Sequence, residues 1–329
     1  MLYNGHTLFS VIIIDMILNT GQRTDIPAFY TEWFMNRIRE GYVMARNPYY
    51  PKIVYRYSLD PSLIDAICFC SKNPEPMLSH MDALRFYQQI WHVTITPYGH
   101  DIEPHVPDKW HVMDVFRKLS SMVGKERIFW RYDPIFLNER YTVQYHKRAF
   151  EKMCTYLDGY TDHVIISFID LYEKTKKNFP SVRELSESDI QTLGKFMRET
   201  ASKHHMKLMT CLEDHGLSKY GIDTKGCMRQ DIVEQALSIS LHVPAGHESR
   251  EGCHCLLGND IGAYNTCMHG CLYCYANYDQ KTVMDNYHKH DPSSPLLIGH
   301  LHENDEIHEA VQKTWSSGQM MLNLQEEIK

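Results

Sequence analysis

The sequence predicts an α/β fold, a partial (βα)6 TIM-like barrel followed by a C-terminal cysteine-rich segment. Three observations lead there. From residue 8 to about 240, short apolar runs alternate with helical patterns, the arrangement of parallel strands covered by helices. Six such units can be counted, and with right-handed crossovers between them that number fits an open barrel better than a doubly wound sheet. After residue 241 the periodicity fades and Gly, Cys and His become frequent, so 1–240 reads as the partial barrel and 241–329 as a region packed on its mouth.

The first strand is expected over 9–17, inside an apolar run at 8–18 that Asp15 interrupts. That run has no Lys or Arg before it, is too short to span a bilayer and lacks a small-residue cleavage pattern, so it reads as a buried strand rather than a signal. Asp25 suits an N-cap for a helix over 27–40, with Pro27 in the first turn and Gly41 at the end. Strand two follows over 64–71 and a helix over 77–89. Strand three is expected at 91–97, with a helix at 110–122 closed by Gly124. Strand four covers 127–133, and its helix 143–157 ends before Gly159. Strand five at 163–170, a helix at 187–204 and strand six at 207–213 complete the set. There is no internal repeat or low-complexity tract.

At 329 residues, 43% hydrophobic and 23% charged, the chain has ordinary globular proportions and ample length for a full core. A net charge of −7 argues against a broad nucleic-acid surface, and the lack of a spanning segment argues against a membrane role. Ten cysteines without a secretory segment point to a reducing cytoplasm in which thiols serve metals rather than disulfides.

The cysteine run CMHGCLYC places Cys267, Cys271 and Cys274 within eight residues, with Tyr273 just before the last. Three thiolates at this spacing can hold three corners of a [4Fe–4S] cluster and leave the fourth iron without a protein ligand. Zinc is the competing reading, with Cys253, Cys255, Cys271 and Cys274 as a four-sulfur site. Against it, one pair has a single intervening residue and Cys267 is left over. Cys211 ends strand six and Cys227 follows in a loop. With Cys253 and Cys255 they make four thiols, the number a closed second iron–sulfur cluster needs, zinc being the next possibility there. Cys68, Cys70 and Cys154 read as small buried hydrophobes. The pairs His288/His290 and His300/His302 are His-x-His motifs of the kind that can bind metal, although exposed histidines in a polar tail are common.

The expected strand ends are polar: Arg23 and Asp25 after the first, Lys72 and Asn73 after the second, Thr94 and Thr96 in the third, Arg131 and Asp133 in the fourth, Ser167 and Asp170 in the fifth, Glu213 in the sixth. In a barrel such ends line one mouth, where catalytic groups sit. Arg131 and Asp133 could equally neutralise each other, and Asp25 could serve only as a cap. Arg23, Lys72 and Arg131 together suit an anionic group, because a guanidinium offers a bidentate fork.

The C-x3-C-x2-C run with an aromatic residue before its last cysteine resembles the signature of the radical SAM superfamily. That resemblance implies an open iron that binds S-adenosylmethionine, Tyr273 against the adenine, Asn277 as a further cofactor residue, and the six-unit barrel as the fold. In the superfamily the cysteine loop ordinarily follows the first strand, whereas the loop at 19–25 here has no cysteine, so the cluster would be delivered to the mouth by the C-terminal segment. No Gly-Gly pair is present to hold the methionine amine. Across nearly its whole length the chain also resembles an uncharacterised bacterial family, domain of unknown function family 1848. The stretches that carry this are RTDIPAFY at 23–30, KNPEPM at 72–77, WRYDPI at 130–135, SFIDLY at 167–172 and DIGAYNTCMHGCLYCYAN at 260–277. The family is described as having a C-terminal cysteine cluster like that of radical SAM proteins, and it implies no substrate. Two departures stand out: Gln22 occupies the place of a second arginine, which removes or alters an anion contact, and Cys70 and Ser71 stand where an aromatic strand end is expected.

The expectation is therefore a cytoplasmic radical SAM-like enzyme. Cys267, Cys271 and Cys274 would hold the first cluster and Cys211, Cys227, Cys253 and Cys255 a second. Arg23, Lys72, Arg131, Asp133, Asp170 and Glu213 would be the catalytic groups, and flavodoxin or ferredoxin the electron donor. The alternatives are a non-catalytic iron–sulfur protein for electron transfer or redox sensing, and a zinc-stabilised barrel hydrolase with Glu213 or Asp133 as base.

Overall fold

The computed structural model describes residues 13–14, 16–171, 173–183, 185–211, 213–244, 255–256 and 258–320. At its centre lies an open, all-parallel sheet. Its chain-ordered strands are β1 (Ile17–Asn19), β4 (Ala66–Ser71), β5 (Gln89–Thr94), β6 (Ile128–Ile135), β7 (His163–Phe168) and β8 (Lys207–Thr210). A two-residue strand, β9 (Asn259–Asp260), adds to the outer edge of β1, giving the order β9-β1-β4-β5-β6-β7-β8. Two short β-strands between β1 and β4 in the chain, β2 (Tyr42–Arg46) and β3 (Ile53–Ser58), form an antiparallel hairpin outside this sheet. β10 (Glu306–Glu309) extends that hairpin, pairing parallel to β3.

The strands read as nearly continuous apolar runs because both faces of the sheet are covered. Side chains alternate between two cores. Phe69, Trp91, Trp130, Val164 and Leu208 face one core, and Cys68, Ile90, Phe129, Ile165 and Met209 face the other. Five connecting helices supply the first core: α1 (Ile26–Phe29), α2 (Thr31–Glu40), α3 (Lys109–Val123), α4 (Val143–Leu157) and α5 (Glu187–Lys203). Strands added in sequence with these crossover helices on one side make a singly wound sheet, which excludes the doubly wound arrangement. The opposite face is covered by α6 (Gln230–Leu237), Met228, Leu256 and Trp315.

The helix signals act locally as read. Asp25 accepts from the Ala28 N–H, Gly41 closes α2 at φ +76°, and α4 spans the predicted residues. Three expectations are corrected. The single helix over 27–40 is two helices broken at Tyr30, whose hydroxyl is drawn away to the carbonyl of Thr266 at 2.6 Å. The helix at 77–89 is instead a run of 3-10 turns over Glu75–Leu84, since Pro74 and Pro76 remove two backbone donors and Met77 closes an i to i+3 bond on Pro74. The first strand of the main sheet begins at Ile17, where the predicted one ends; residues 9–12 and 15 lie outside the described set. The hairpin β2–β3 had no counterpart in the sequence reading.

Candidate functional site

Because β9 runs parallel to β1, the residues after Asp260 emerge at the same end of the sheet as the loops that follow the other strands. The cysteine loop is the continuation of this segment. The Ile261 N–H donates to the Asn19 carbonyl at 3.0 Å, and Gly262 passes so close that a Cβ there would lie 2.9 Å from Thr24 and 3.0 Å from Asp260. Arg23 fixes the junction through an ion pair to Asp260 at 3.1 Å and a second contact to its carbonyl. The sequence reading missed Asp260. Burial pushes its carboxyl up and Arg23 opposes the shift.

Backbone contacts then hold the Cys267–Cys274 turn against the strand ends. His105 donates to the His269 carbonyl at 3.1 Å, Leu272 donates to the Ile102 carbonyl at 3.0 Å, and Gly270 turns at φ +70°. Asn277 donates to the Cys267 carbonyl at 2.7 Å, so the residue predicted to touch a cofactor braces the loop. Its own side-chain oxygen has no partner among the described residues. The His269 imidazole pairs with Asp25 at 2.8 Å, and the same carboxylate oxygen accepts from the Lys72 N–H at 2.8 Å. Asp25 is thus more than a helix cap. It ties the first and second strand ends to the cysteine turn.

The centre of the charged network is Glu103, which sequence reasoning also missed. Buried at 1% exposure, it accepts from Lys72 at 2.9 Å, from Thr96 at 2.8 Å, and from Lys109 and the Tyr273 hydroxyl. Burial alone would raise its carboxyl, but the two ammonium groups overcome this and hold it at about 2. Burial works against Lys72 as well, yet the Glu103 carboxylate lifts it above its ordinary value. Lys109 stays below its own, through burial and repulsion from Lys72. The Lys72 ammonium also lies 5.6 Å from the centre of the Tyr273 ring.

Cys267, Cys271 and Cys274 are each half-buried. Burial pushes the Cys271 thiol up to about 12, opposed by Lys72. Cys267 is raised further by burial, Asp25 and its two fellow cysteines. Among the described residues no three His, Cys, Asp or Glu side chains are arranged to hold a metal ion.

A second polar group lies on the face opposite the main helices. Arg131 binds Asp133 at 3.0 Å and approaches His92 Nδ1 at 3.3 Å and the Cys227 sulfur at 3.6 Å. The free Cys227 thiol hydrogen-bonds with those of Cys211 and Cys255, so the structure brings together three of the four cysteines expected in a second site, and Cys253 lies outside the described residues. The Cys68 and Cys70 thiols share this face and hydrogen-bond to one another, and Cys227 lies near enough to raise Cys68 further. The sequence reading took both as small buried hydrophobes; Cys68 is buried and Cys70 half-buried. Cys154 is buried among the helices as expected. Glu213 accepts from the Ser167 hydroxyl at 2.6 Å and the Phe168 N–H at 2.9 Å, and burial, with Asp133 and Cys211 nearby, pushes it up to about 7. Asp170 is exposed, two residues beyond β7.

Among the described residues no helix is long and apolar enough to cross a membrane. The chain matches the family described as Domain of unknown function (DUF1848) over residues 17–276, and it belongs to that family. No curated protein matches it.

Proposed function

We propose that this member of the DUF1848 family is a radical SAM-like enzyme whose C-terminal cysteine loop does the work that, in the superfamily it resembles, a loop after the first strand performs. The observation that carries the reading is topological. A parallel edge strand delivers the C-x3-C-x2-C turn to the strand ends where Arg23, Lys72, Arg131 and Asp133 gather. The open, singly wound sheet is then a partial barrel of the radical SAM type, with its helices outside. The donor set suits iron and sulfide: three thiols lie near one another, Cys271 and Cys274 raising the Cys267 thiol and Cys274 raising that of Cys271, with the one imidazole in their turn engaged by Asp25.

When bound, a [4Fe–4S] cluster with one iron free of protein sulfur supplies the electron that cleaves S-adenosylmethionine and starts radical chemistry. The chain's own residues would do the rest. Cys267, Cys271 and Cys274 would hold the cluster as thiolates, and Lys72, beside Cys271, would offset their negative charge. Tyr273, its hydroxyl committed to Glu103, offers its ring rather than its oxygen to the cofactor. Asn277 keeps the loop in shape, and Arg23 and Arg131 provide cationic edges to the mouth. A second iron–sulfur cluster at Cys211, Cys227, Cys253 and Cys255, a cytoplasmic setting and a flavodoxin-like or ferredoxin-like donor complete the proposal.

Anaerobic reconstitution with iron and sulfide, reduction, and assay for 5′-deoxyadenosine tests it. A reduced, iron-loaded protein that never cleaves S-adenosylmethionine rejects the enzyme reading in favour of electron transfer or redox sensing. One observation favours a second reading, a hydrolase: Glu213, pushed up to about 7 beside Ser167, is poised as a general base at neutral pH. Zinc without iron in anaerobically purified protein supports that reading.

A further inference from the structure

On the cluster reading above, we infer that His269 Nδ1 is a fourth metal-ligating atom of the cysteine turn, one that closes the iron–sulfur centre in the resting protein and gives way when S-adenosylmethionine binds. His269 stands between Cys267 and Cys271, inside the C-x3-C-x2-C run itself. Its pairing with Asp25 uses only Nε2. The side chain is 2% exposed, and among the described residues Nδ1 has no hydrogen-bond partner. A buried polar atom left unpaired is costly, so its place in the turn calls for a ligand.

The rest of the side chain is fixed. Nε2 lies 2.8 Å from Asp25 Oδ2, and that carboxylate, itself 4% exposed, is anchored by the Lys72 N–H at 2.8 Å and the Ala28 N–H at 3.0 Å. The Phe29 ring packs on the imidazole with 4.6 Å between centres. A carboxylate accepts and does not donate, so Nε2 carries the ring proton and Nδ1 keeps its lone pair. A doubly protonated ring would instead bury an N–H with nothing to receive it. Metal-ligating histidines share this arrangement, because the carboxylate sets the tautomer, orients the ring and makes the free nitrogen a stronger donor to metal.

The backbone of the turn keeps this residue beside the sulfurs. The His269 N–H is hydrogen-bonded to the Cys267 sulfur, and its carbonyl accepts from His105 at 3.1 Å. As the chain stands, no three such side chains converge on the single point that one ion needs. A four-iron cluster makes a different demand, since each ligand binds its own iron at a separate corner. Three corners then belong to Cys267, Cys271 and Cys274 and the fourth to His269 Nδ1. Opening the centre is a ligand exchange: the iron–nitrogen bond breaks as a bond to the incoming ligand forms, and no electron moves.

Pulsed EPR of the reduced, anaerobically reconstituted full chain tests this, on two preparations that differ only in histidine labelled with the heavy nitrogen isotope. Without added cofactor, the cluster should show a nitrogen hyperfine coupling that changes with the label. That coupling should be lost in His269→Asn, and lost in the wild type once S-adenosylmethionine is added. A cluster with no histidine coupling overturns the assignment, whether or not it cleaves the cofactor, and so does a coupling that His269→Asn retains. Where that variant takes up no iron, the wild-type spectra decide, because His269 is the one imidazole within the turn. Failure of the cluster reading looks different. A protein that takes up no iron ends both, whereas a coupling that persists with S-adenosylmethionine keeps His269 as a ligand and removes the open iron on which the enzyme reading depends.

Discussion

Replacing Glu103 with Gln tests the electrostatic centre of the site. In the folded protein this carboxyl is held at about 2 against an ordinary 4.5, a difference of about 2.5 units, or about 3 kcal/mol at roughly 1.4 kcal/mol per unit. The side chain has no exposed area, so solvent screening removes little of that figure. A carboxyl depressed on folding stabilises the fold fully above its ordinary value and loses the contribution as pH falls through about 2. Urea unfolding of cluster-free wild-type and Glu103→Gln protein should therefore differ by about 3 kcal/mol at pH 7 and by about 1 kcal/mol at pH 3. Adding Lys72→Met to Glu103→Gln should cost less than the sum of the single changes, because one of the two stranded ammonium groups is gone. A gap below about 1 kcal/mol at pH 7, or one of equal size at both pH values, refutes the linkage reasoning.

Three further outcomes are expected. Arg23→Met strands the buried Asp260 carboxylate and should cost about 3–5 kcal/mol in urea unfolding, most of it recovered by adding Asp260→Asn. Glu213 has the opposite sign to Glu103: raised to about 7, it penalises the fold progressively from about pH 4.5 to about 7. Glu213→Gln should therefore be neutral near pH 4 and stabilising by up to about 3 kcal/mol at pH 8, in the same assay. Serine at Cys267, Cys271 or Cys274 should each lower the iron retained after anaerobic reconstitution while Cys154→Ala leaves it unchanged. Because burial keeps the Cys271 thiol protonated up to about 12, iron loading should release protons and improve from pH 6 to pH 8.

Features set by neighbours in the chain are legible in the sequence. The spacing of Cys267, Cys271 and Cys274, the alternation that yields six ordered parallel strands, the Asp25 cap and the span of α4 all depend on periods of two to four residues or on one turn. Where the local signal competed with a distant contact it failed. The predicted 27–40 helix breaks at Tyr30, whose backbone leaves helical geometry and whose hydroxyl donates to the carbonyl of Thr266, 236 residues away. The edge strand Asn259–Asp260 is only two residues long and has no periodicity to read, yet its parallel register on β1 decides where the cysteine loop emerges.

The composition of the charged and thiol groups was likewise written in the chain, but their company was not. Glu103 reads as an ordinary loop carboxylate until the turn after β5 folds it under the cysteine loop, where Lys72, Lys109 and Tyr273 converge from three separate segments. Cys68 and Cys70 read as packing residues until the strands align and set them on the face shared with Cys227. By itself the sequence determined which strands form and which sulfurs stand close along the chain, since those follow from short-range sterics and side-chain alternation. Only the tertiary structure decided which charges share a buried space, because register and crossover direction, not proximity in the chain, bring those groups out of water together.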